Sequence, residues 1–435
     1  MSRCTSTRRR FIRSVATTTA AGTSLPYWFT GTNARAEDAT SKNDRPLIGA
    51  IGVGGRGSGI MRAASRFGDV VAVCDVDRKH AERAKAAMGG KPDVYGDYRK
   101  LLERTDVDVI TNGTPDHWHT AVNVAACKAG KDVYTEKPMT LTIDEGKILR
   151  KVVADTGRIV QVGTQQRADG RFQTAVELVR NGRIGKLRHV EVTLPLWTTK
   201  GGPFPAQPVP ENLDWDMYQG QAPEHDYCSN RTHFNFRWWF EYAGGIITDW
   251  GQHFMDIAHW GMDLEGSGPL SVECRSANFP NEGKPDCYNN PDSFVIEMTF
   301  PGGIELLYNV AINKETKRNG IKFTGDAGRI HVNRGGLYGK AFEELKENPF
   351  PDDAWRAYPN RDHMGNFFEC VKSRKAPAAP VDIGHRVITS CHLGNIAIRL
   401  KRKINWDPKT EQVVGDDEAN GWQRREQRAP YLVTG

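Results

Sequence analysis

The chain has no Cys-x-x-Cys pair anywhere in its 435 residues. Its eight cysteines are scattered, and Cys4 lies in a basic leader. The other seven (Cys74, Cys127, Cys228, Cys274, Cys287, Cys370 and Cys391) are an odd number and cannot all pair within one chain. A zinc ribbon and a disulfide scaffold are therefore excluded, although Cys274 and Cys287 could pair in an oxidising compartment. No apolar run is long enough to span a bilayer as a helix of the mature chain. There is no internal repeat and no low-complexity tract past the leader. The chain also lacks a net charge once the leader is set aside. The formal +6 comes from Arg3, Arg8, Arg9, Arg10, Arg13 and Arg35, with no acidic residue among positions 1–36. The rest keeps 53 of the 59 basic residues against 53 acidic ones. A nucleic-acid or anionic-membrane partner thus has no electrostatic support.

The leader itself has an order. "TRRRFIR", Thr7 to Arg13, is a twin-arginine pattern, followed by the weakly apolar "SVATTTAAGTSL" and by "ARA" at Ala34–Ala36. These features predict a signal peptide over 1–36, export by the twin-arginine pathway and a periplasmic or extracellular location. A polar linker over 37–45 follows. The length allows two domains and a large core.

From Leu47 to about Val162 short apolar strands alternate with helical runs. "LIGAIGV", "VVAVCD", "VDVITNG", "KDVYTE" and "RIVQVG" are separated by segments such as "RKHAERAKAAMG" and "HTAVNVAACKAG". Near-continuous apolar strands between helices predict an α/β fold with a doubly wound parallel sheet, here over 46–165. After Gln165 the pattern changes. Alternating strands over 271–332 predict a second, α+β domain over 166–435 with an open, largely antiparallel sheet. Its tail, 363–435, reads as a helical closing segment.

Gly52-x-Gly54-x-x-Gly57 directly follows the first strand and directly precedes a helix. Gly52 permits the tight turn, Gly54 a close approach to pyrophosphate and Gly57 close helix packing, with Gly55 and Arg56 in the same loop. Asp75 ends the second strand eighteen residues after Gly57. A carboxylate there binds the adenosine ribose and repels a 2′-phosphate, so NAD is expected over NADP.

Two further strands end at the same sheet edge. One leads into "TNGTPDHWHT" and the other into Glu136-Lys137-Pro138. The proline keeps Lys137 out of helical geometry. Later, "GGIITDWGQHFMDIAHW" places Asp249, His253 and Asp256 at i, i+4 and i+7, on one helix face. Asp249 beside His253 predicts an acid–base couple in which the carboxylate supports the imidazolium. His253 and His259 fall on different faces, and His117 and His119 flank Trp118 as positioning groups, so no metal site is expected.

With these motifs assembled, the chain resembles the glucose–fructose oxidoreductase / inositol dehydrogenase / MocA family. The Gly-rich turn, "TPDHWH", "EKP" and "GGxxxDxGxHxxD" occur in its order and spacing, over about residues 45–435. The resemblance implies a Rossmann domain followed by a domain with an open sheet. It implies that Lys137 contacts the reacting hydroxyl and the nicotinamide, and that His253 is the acid–base residue with Asp249 as its partner. It places Thr114, Pro115 and His117 in the loop beside the cofactor and Glu136 as a cofactor-side carboxylate. The stretch 197–245 is longer and more aromatic than in inositol dehydrogenase-like members. Phe234, Phe236, Trp238, Trp239, Phe240 and Tyr242 crowd there and suit either sugar rings or an internal apolar surface. Arg167, Trp238, Tyr242 and His253 are the candidate substrate contacts, for a carbohydrate or polyol, in a homo-oligomer joined through the C-terminal sheet.

Export adds a constraint, because little free NAD is available outside the cytoplasm. The cofactor is expected to stay bound and be regenerated in place. Hydride transfer between sugars meets that need, as does a redox-neutral glycoside hydrolase or lyase. A cofactor-binding sensor would not require Lys137, Asp249 and His253 together.

Overall fold

The computed structural model describes residues 45–197, 199–310 and 319–435. The leader and most of the linker lie outside the described residues. The first sheet holds β1 (Leu47–Ile51), β2 (Asp69–Cys74), β3 (Asp93–Tyr95), β4 (Val109–Asn112), β5 (Asp132–Thr135) and β6 (Val160–Val162). Its order is β3-β2-β1-β4-β5-β6 and all its pairings are parallel. Strands β4, β5 and β6 are buried at every position, as a sheet covered on both faces requires. The strand order reverses between β1 and β4, and ligands of open parallel sheets bind at the carboxyl ends of such a pair.

The second sheet holds β7 (Leu187–Leu194), β8 (Ser271–Asn278), β9 (Ser293–Phe300), β10 (Ile304–Val310), β11 (Gly320–Gly325), β12 (Arg329–Asn333), β13 (Gly336–Tyr338), β14 (Ile404–Asp407) and β15 (Gln412–Val413). Its order is β13-β12-β11-β7-β10-β9-β8-β14-β15. Every pairing is antiparallel except β7 with β10. Alternate residues are buried along β9 and β10, so one face is covered and the other open. The tail is less purely helical than its sequence predicts. After the helices His363–Ser373 and Val381–Leu400 it adds β14 and β15 to the sheet edge. Those strands are four and two residues long, too short for a period-2 pattern to show.

The covered face packs on the helix Ile246–Met262, whose residues are nearly all buried. That helix also meets Val381–Leu400, which in turn lies against Ile143–Thr156 of the first sheet's layer. The helix His363–Ser373 sends Met364, Phe367 and Phe368 into one cluster with Ile48, Ala50 and Val73. The first sheet is thus completed by a helix from the far end of the chain. All seven cysteines within the described residues are free, Cys274 and Cys287 included. No described helix is long and apolar enough to cross a membrane.

Candidate active site

A cleft of about 500 Å³ opens at the carboxyl ends of β1 and β4 and is closed from above by the second domain. Backbone builds its lower end. Gly52 has φ +70°, and a Cβ there would lie 2.4 Å from Thr114 N. A Cβ on Gly57 would lie 1.7 Å from Gly52 O, and one on Gly113 would lie 2.4 Å from Gly57 Cα. The turns after β1 and β4 can touch only because those positions lack side chains. The helix Gly55–Ala64 starts here with no side-chain cap and no acidic residue in its first turn. Its free amides and dipole face the cleft, as a pyrophosphate requires.

Asp75 follows β2 and lines the same cleft. Its Oδ1 accepts from Asp77 N at 2.9 Å and its Oδ2 lies 3.5 Å from His80 Nδ1. That contact raises His80 above its usual value. His233, from the second domain, reaches across with Nε2 3.3 Å from Asp77 Oδ2. Asp77, His80 and His233 are the one group among the described residues close enough to share a cation. The sequence pointed to no such cluster, because His233 comes from a distant segment. The contacts of His80 with Asp75 and of His233 with Asp77, and the packing of the two rings at 4.4 Å, account for the proximity.

Charge builds the other end. Lys137, whose peptide bond to Pro138 is cis, sits on the turn after β5. Its Nζ donates to the Asp249 carboxylate and, at 3.1 Å, to Asp249 O. Arg237 Nε lies 3.5 Å from the second Asp249 oxygen. Burial alone would raise the Asp249 carboxyl, but Lys137 and Arg237 outweigh it and hold it low. The turn is fixed from both sides. His119 places its ring nitrogens 2.6 Å from Pro138 O and 2.8 Å from Thr114 O, joining the turns after β4 and β5. Gln252 accepts from Met139 N at 2.7 Å and ties the turn to the helix Ile246–Met262. Glu136 accepts from Arg56 Nε at 2.7 Å and from Gln165 at 3.1 Å.

His253 lines the cleft and its Nδ1 has no hydrogen-bond partner among the described residues. Burial first, then the nearby cations Lys137, Arg334 and Arg56, push it well below its usual value. It is therefore a neutral imidazole able to take a proton. One expectation fails here. Asp249 does not support His253, because its carboxylate is taken by Lys137 and Arg237. Helix spacing put the two residues on one face but did not fix where the carboxylate turns. Asp256 turns away too, into a two-pronged pair with Arg167 at 2.7 Å for each bond.

That pair corrects a second expectation. Arg167 is buried, bonded to Asp256 and Glu265 and laid over Trp260, so it holds the core together and does not reach the cleft. Trp238 and Tyr242 are not substrate contacts either. Neither lines the cleft: both are buried with Trp239 and Trp215 in an apolar cluster whose buried members reach the cleft wall only through Tyr218 and Phe236, the internal alternative for this aromatic stretch. His117 does not line the cleft. Its Nε2 faces Tyr218 O at 2.9 Å, its ring packs on Tyr242, and burial lowers it to about 4. Gly52, Gly54, Gly55, Arg56, Asp75, Thr114, Pro115, Glu136, Lys137, Asp249 and His253 do line it, and Gly57 lies just beneath. Sequence reasoning missed Asp116, Gln165, Trp250, Arg237 and Arg334. Asp116 stood inside the quoted "TPDHWH". Arg237 and Arg334 carried no local signal.

A doubly wound sheet with a phosphate-shaped turn and a lysine–carboxylate–histidine end defines a dinucleotide-dependent oxidoreductase. Residues 47–164 match the description "Oxidoreductase family, NAD-binding Rossmann fold", and residues 195–433 match "Oxidoreductase family, C-terminal alpha/beta domain" of the same family. The chain belongs to the Gfo/Idh/MocA oxidoreductase family, and its cofactor is NAD. It is 37% identical over 164 residues to "Glycosyl hydrolase family 109 protein 2" of Shewanella sp. (strain ANA-3), covering 34% of this chain and 35% of that protein. The chain thus spans about a third of that relative's length. It is 25% identical over 264 residues to inositol 2-dehydrogenase of Rhizobium meliloti, covering 60% and 68%. Levoglucosan dehydrogenase in complex with NADH and levoglucosan shares the fold, with a TM-score of 0.62, 17% identity and coverage of 83% and 99%. So does the WlbA dehydrogenase of Bordetella pertussis in complex with NADH and UDP-GlcNAcA, with a TM-score of 0.61, 19% identity and coverage of 83% and 99%.

Proposed function

We propose that this protein oxidises a hydroxyl-bearing carbon of a sugar, polyol or glycoside, with NAD held tightly through the cycle. The carrying observation is the Lys137 ammonium fixed on Asp249 in the cofactor cleft, together with the His253 ring that lines the same cleft and is held neutral. When bound, NAD supplies the hydride acceptor and later returns the hydride. His253 takes the hydroxyl proton. Lys137 steadies the alkoxide that this leaves. Asp249 aims the ammonium, and Arg237 balances the second carboxylate oxygen. Asp75 holds the ribose, and the Gly55–Ala64 helix start holds the pyrophosphate. Phe234 and Trp250 line the cleft and offer ring faces to a sugar.

The test is to purify the native chain and measure its NAD content. Inositols, free sugars and glycosides are then added while absorbance of bound NADH is followed. A sugar that reduces the bound cofactor supports the reading. Full NAD content with no reduction by any of them sinks it. A second reading, redox-neutral cleavage of a glycoside, is favoured by the likeness to the Shewanella glycosyl hydrolase family 109 protein. It predicts released aglycone with no net change in NAD.

We also infer export by the twin-arginine route, on the strength of Thr7–Arg13 and Ala34–Ala36. A mature N-terminus at Glu37 in the periplasm, lost when Arg9 and Arg10 become lysine, is the expected outcome. Copies are proposed to pair through the open face of the second sheet, which carries the charged set Glu273, Arg275 and Glu297. Light scattering at two ionic strengths checks it.

A further inference from the structure

Asp116 is the first residue of the helix Asp116–Lys128, immediately after Thr114-Pro115 at the end of β4. It lines the cofactor cleft, yet only 4% of it is exposed. Its Oδ2 has no hydrogen-bond partner among the described residues. A buried carboxyl oxygen without a partner is costly, and where one persists it calls for a reason. A structural carboxylate in this protein looks different. Asp256 is met by both prongs of Arg167, and Glu136 by Arg56 and Gln165. Asp116 has no such clamp, although Arg56, Lys137, Arg237 and Arg334 line the same cleft.

The charged groups that act on Asp116 come from four segments: Asp249 from the helix Ile246–Met262, Lys137 from the turn after β5, Arg237 from 233–238, and Arg425 from the tail. Lys137 and Arg237 are already engaged by Asp249. Arg425 donates to Phe240 O. Burial and the charge of Asp249 hold the Asp116 carboxyl up at about 7, against the pull of Arg237 and Lys137. Two groups in one cleft are thus tuned apart: a neutral imidazole at His253 and a half-protonated acid at Asp116. Such a divergence marks separate proton-transfer roles.

We propose that Asp116 is a second acid–base residue of this cleft, serving the substrate carbon next to the one that His253 and Lys137 oxidise. The proposal rests on the sugar-oxidising reading above. Once the hydroxyl carbon is a ketone, the neighbouring C–H bond is acidic. The Asp116 carboxylate takes that proton. The electron pair of the broken C–H bond forms a C=C bond, and the ketone π pair moves onto its oxygen, which Lys137 holds. Return of the proton reverses the step. Where the following carbon bears a glycosidic oxygen, the enolate pair instead expels it. The C–O bond breaks with its electrons on oxygen, and the proton Asp116 has just taken completes the leaving alcohol. No oxidant or reductant enters beyond the bound cofactor.

The test uses the NAD-loaded protein in D₂O with inositols, free sugars and aryl glycosides. Two readouts are taken: bound NADH by absorbance, and deuterium at the carbon beside the oxidised one by NMR. The wild type incorporates deuterium. In Asp116→Asn the ratio of deuterium incorporated to NADH formed falls about a hundredfold, and Asp116→Glu restores part of it. An unchanged ratio, or NADH without exchange in the wild type, overturns the proposal. If no sugar reduces the cofactor and no aryl glycoside releases its aglycone, the sugar reading itself has failed. The acid is then judged by infrared difference spectra of wild type against Asp116→Asn. A protonated carboxyl band at pH 6 that fades by pH 8 supports it, and an ionised carboxylate at pH 6 overturns it. Thermal melts confirm that each variant is folded.

Discussion

At the phosphate end of the cleft the chain works with backbone, and at the reacting end it works with buried charge. Gly52, Gly57 and Gly113 let two turns touch, and the Gly55–Ala64 helix offers free amides with no acidic side chain in its first turn. Across the cleft Lys137, Asp249, Arg237 and His253 are gathered from three distant segments. A backbone cradle is insensitive to pH and holds a ligand that stays. A set of buried charges responds strongly to small changes, because the low local dielectric magnifies each of them. That division suits a bound cofactor serving exchangeable substrates.

The sharpest way to break the comparison is Lys137→Ala. It removes one cation at the reacting end, the ammonium on Asp249, and touches nothing at the other. Turnover is expected to fall about 10³-fold, the scale of losing a positioned charge at a developing oxyanion. NAD content per chain should stay as in the wild type. Loss of NAD together with turnover would show that the two ends are not separable. The measurement is bound nucleotide by absorbance after denaturation, beside steady-state rates.

Next in size is Arg167→Met, which tests where the charged end stops. Arg167 is 4% exposed and meets Asp256 and Glu265, so removing it strands the Asp256 carboxylate in the core and leaves Glu265 half-buried beside Arg180. The expected cost is about 3 kcal/mol, read as a Tm lower by about 5 °C. Substrate KM should change little. A shifted KM with an unchanged Tm would return Arg167 to the substrate site.

These two residues also show what was legible beforehand. Lys137 could be read because an X-Pro step at a strand end has one meaning wherever it falls, and the glycines because their spacing is a backbone requirement. Arg167 was misread because a lone arginine near a motif carries no sign of its partner. Asp249 was placed correctly on the helix face, but its partner came from a turn about 110 residues away, and helix periodicity is silent on that. The aromatic segment gave the same ambiguity: composition marked it, yet only packing showed that Phe234 faces the cleft while Trp238 and Tyr242 are buried apart from it. The helix His363–Ser373 was legible as a helix, but not as cover for the first sheet. Local periodicity reports elements; pairings across the chain are set by the whole core.

Asp75→Ala breaks the comparison from the other end. On the proposed reading the Asp75 carboxylate holds the ribose, and its loss removes a charge-assisted hydrogen bond. NAD should bind about tenfold more weakly, about 1.4 kcal/mol, and discrimination against NADP should narrow. Calorimetry on protein stripped of nucleotide measures both. The rate at saturating NAD should be unchanged.

The smallest effect sharpens the account of the reacting end itself. Arg334 lies over the Trp250 ring at 4.4 Å and is one of the cations that depress His253, after burial and Lys137. Its own value is lowered by burial and by Arg56, so the cleft is crowded with positive charge at this point. Arg334→Gln removes one of those charges. The imidazolium of His253 then becomes less unfavourable, and its midpoint moves up. Solvent reaches part of the Arg334 side chain and screens its field, so the upward shift should be small. The sign has a kinetic consequence. Only the neutral ring accepts a proton, so the acid limb of kcat/KM should move upward by the same amount in the variant, while the plateau above pH 7 stays put. NMR titration of ring-labelled histidine follows the midpoint directly and without substrate. A midpoint that moves down, or a plateau that drops, would mean that Arg334 acts on the substrate and not on His253.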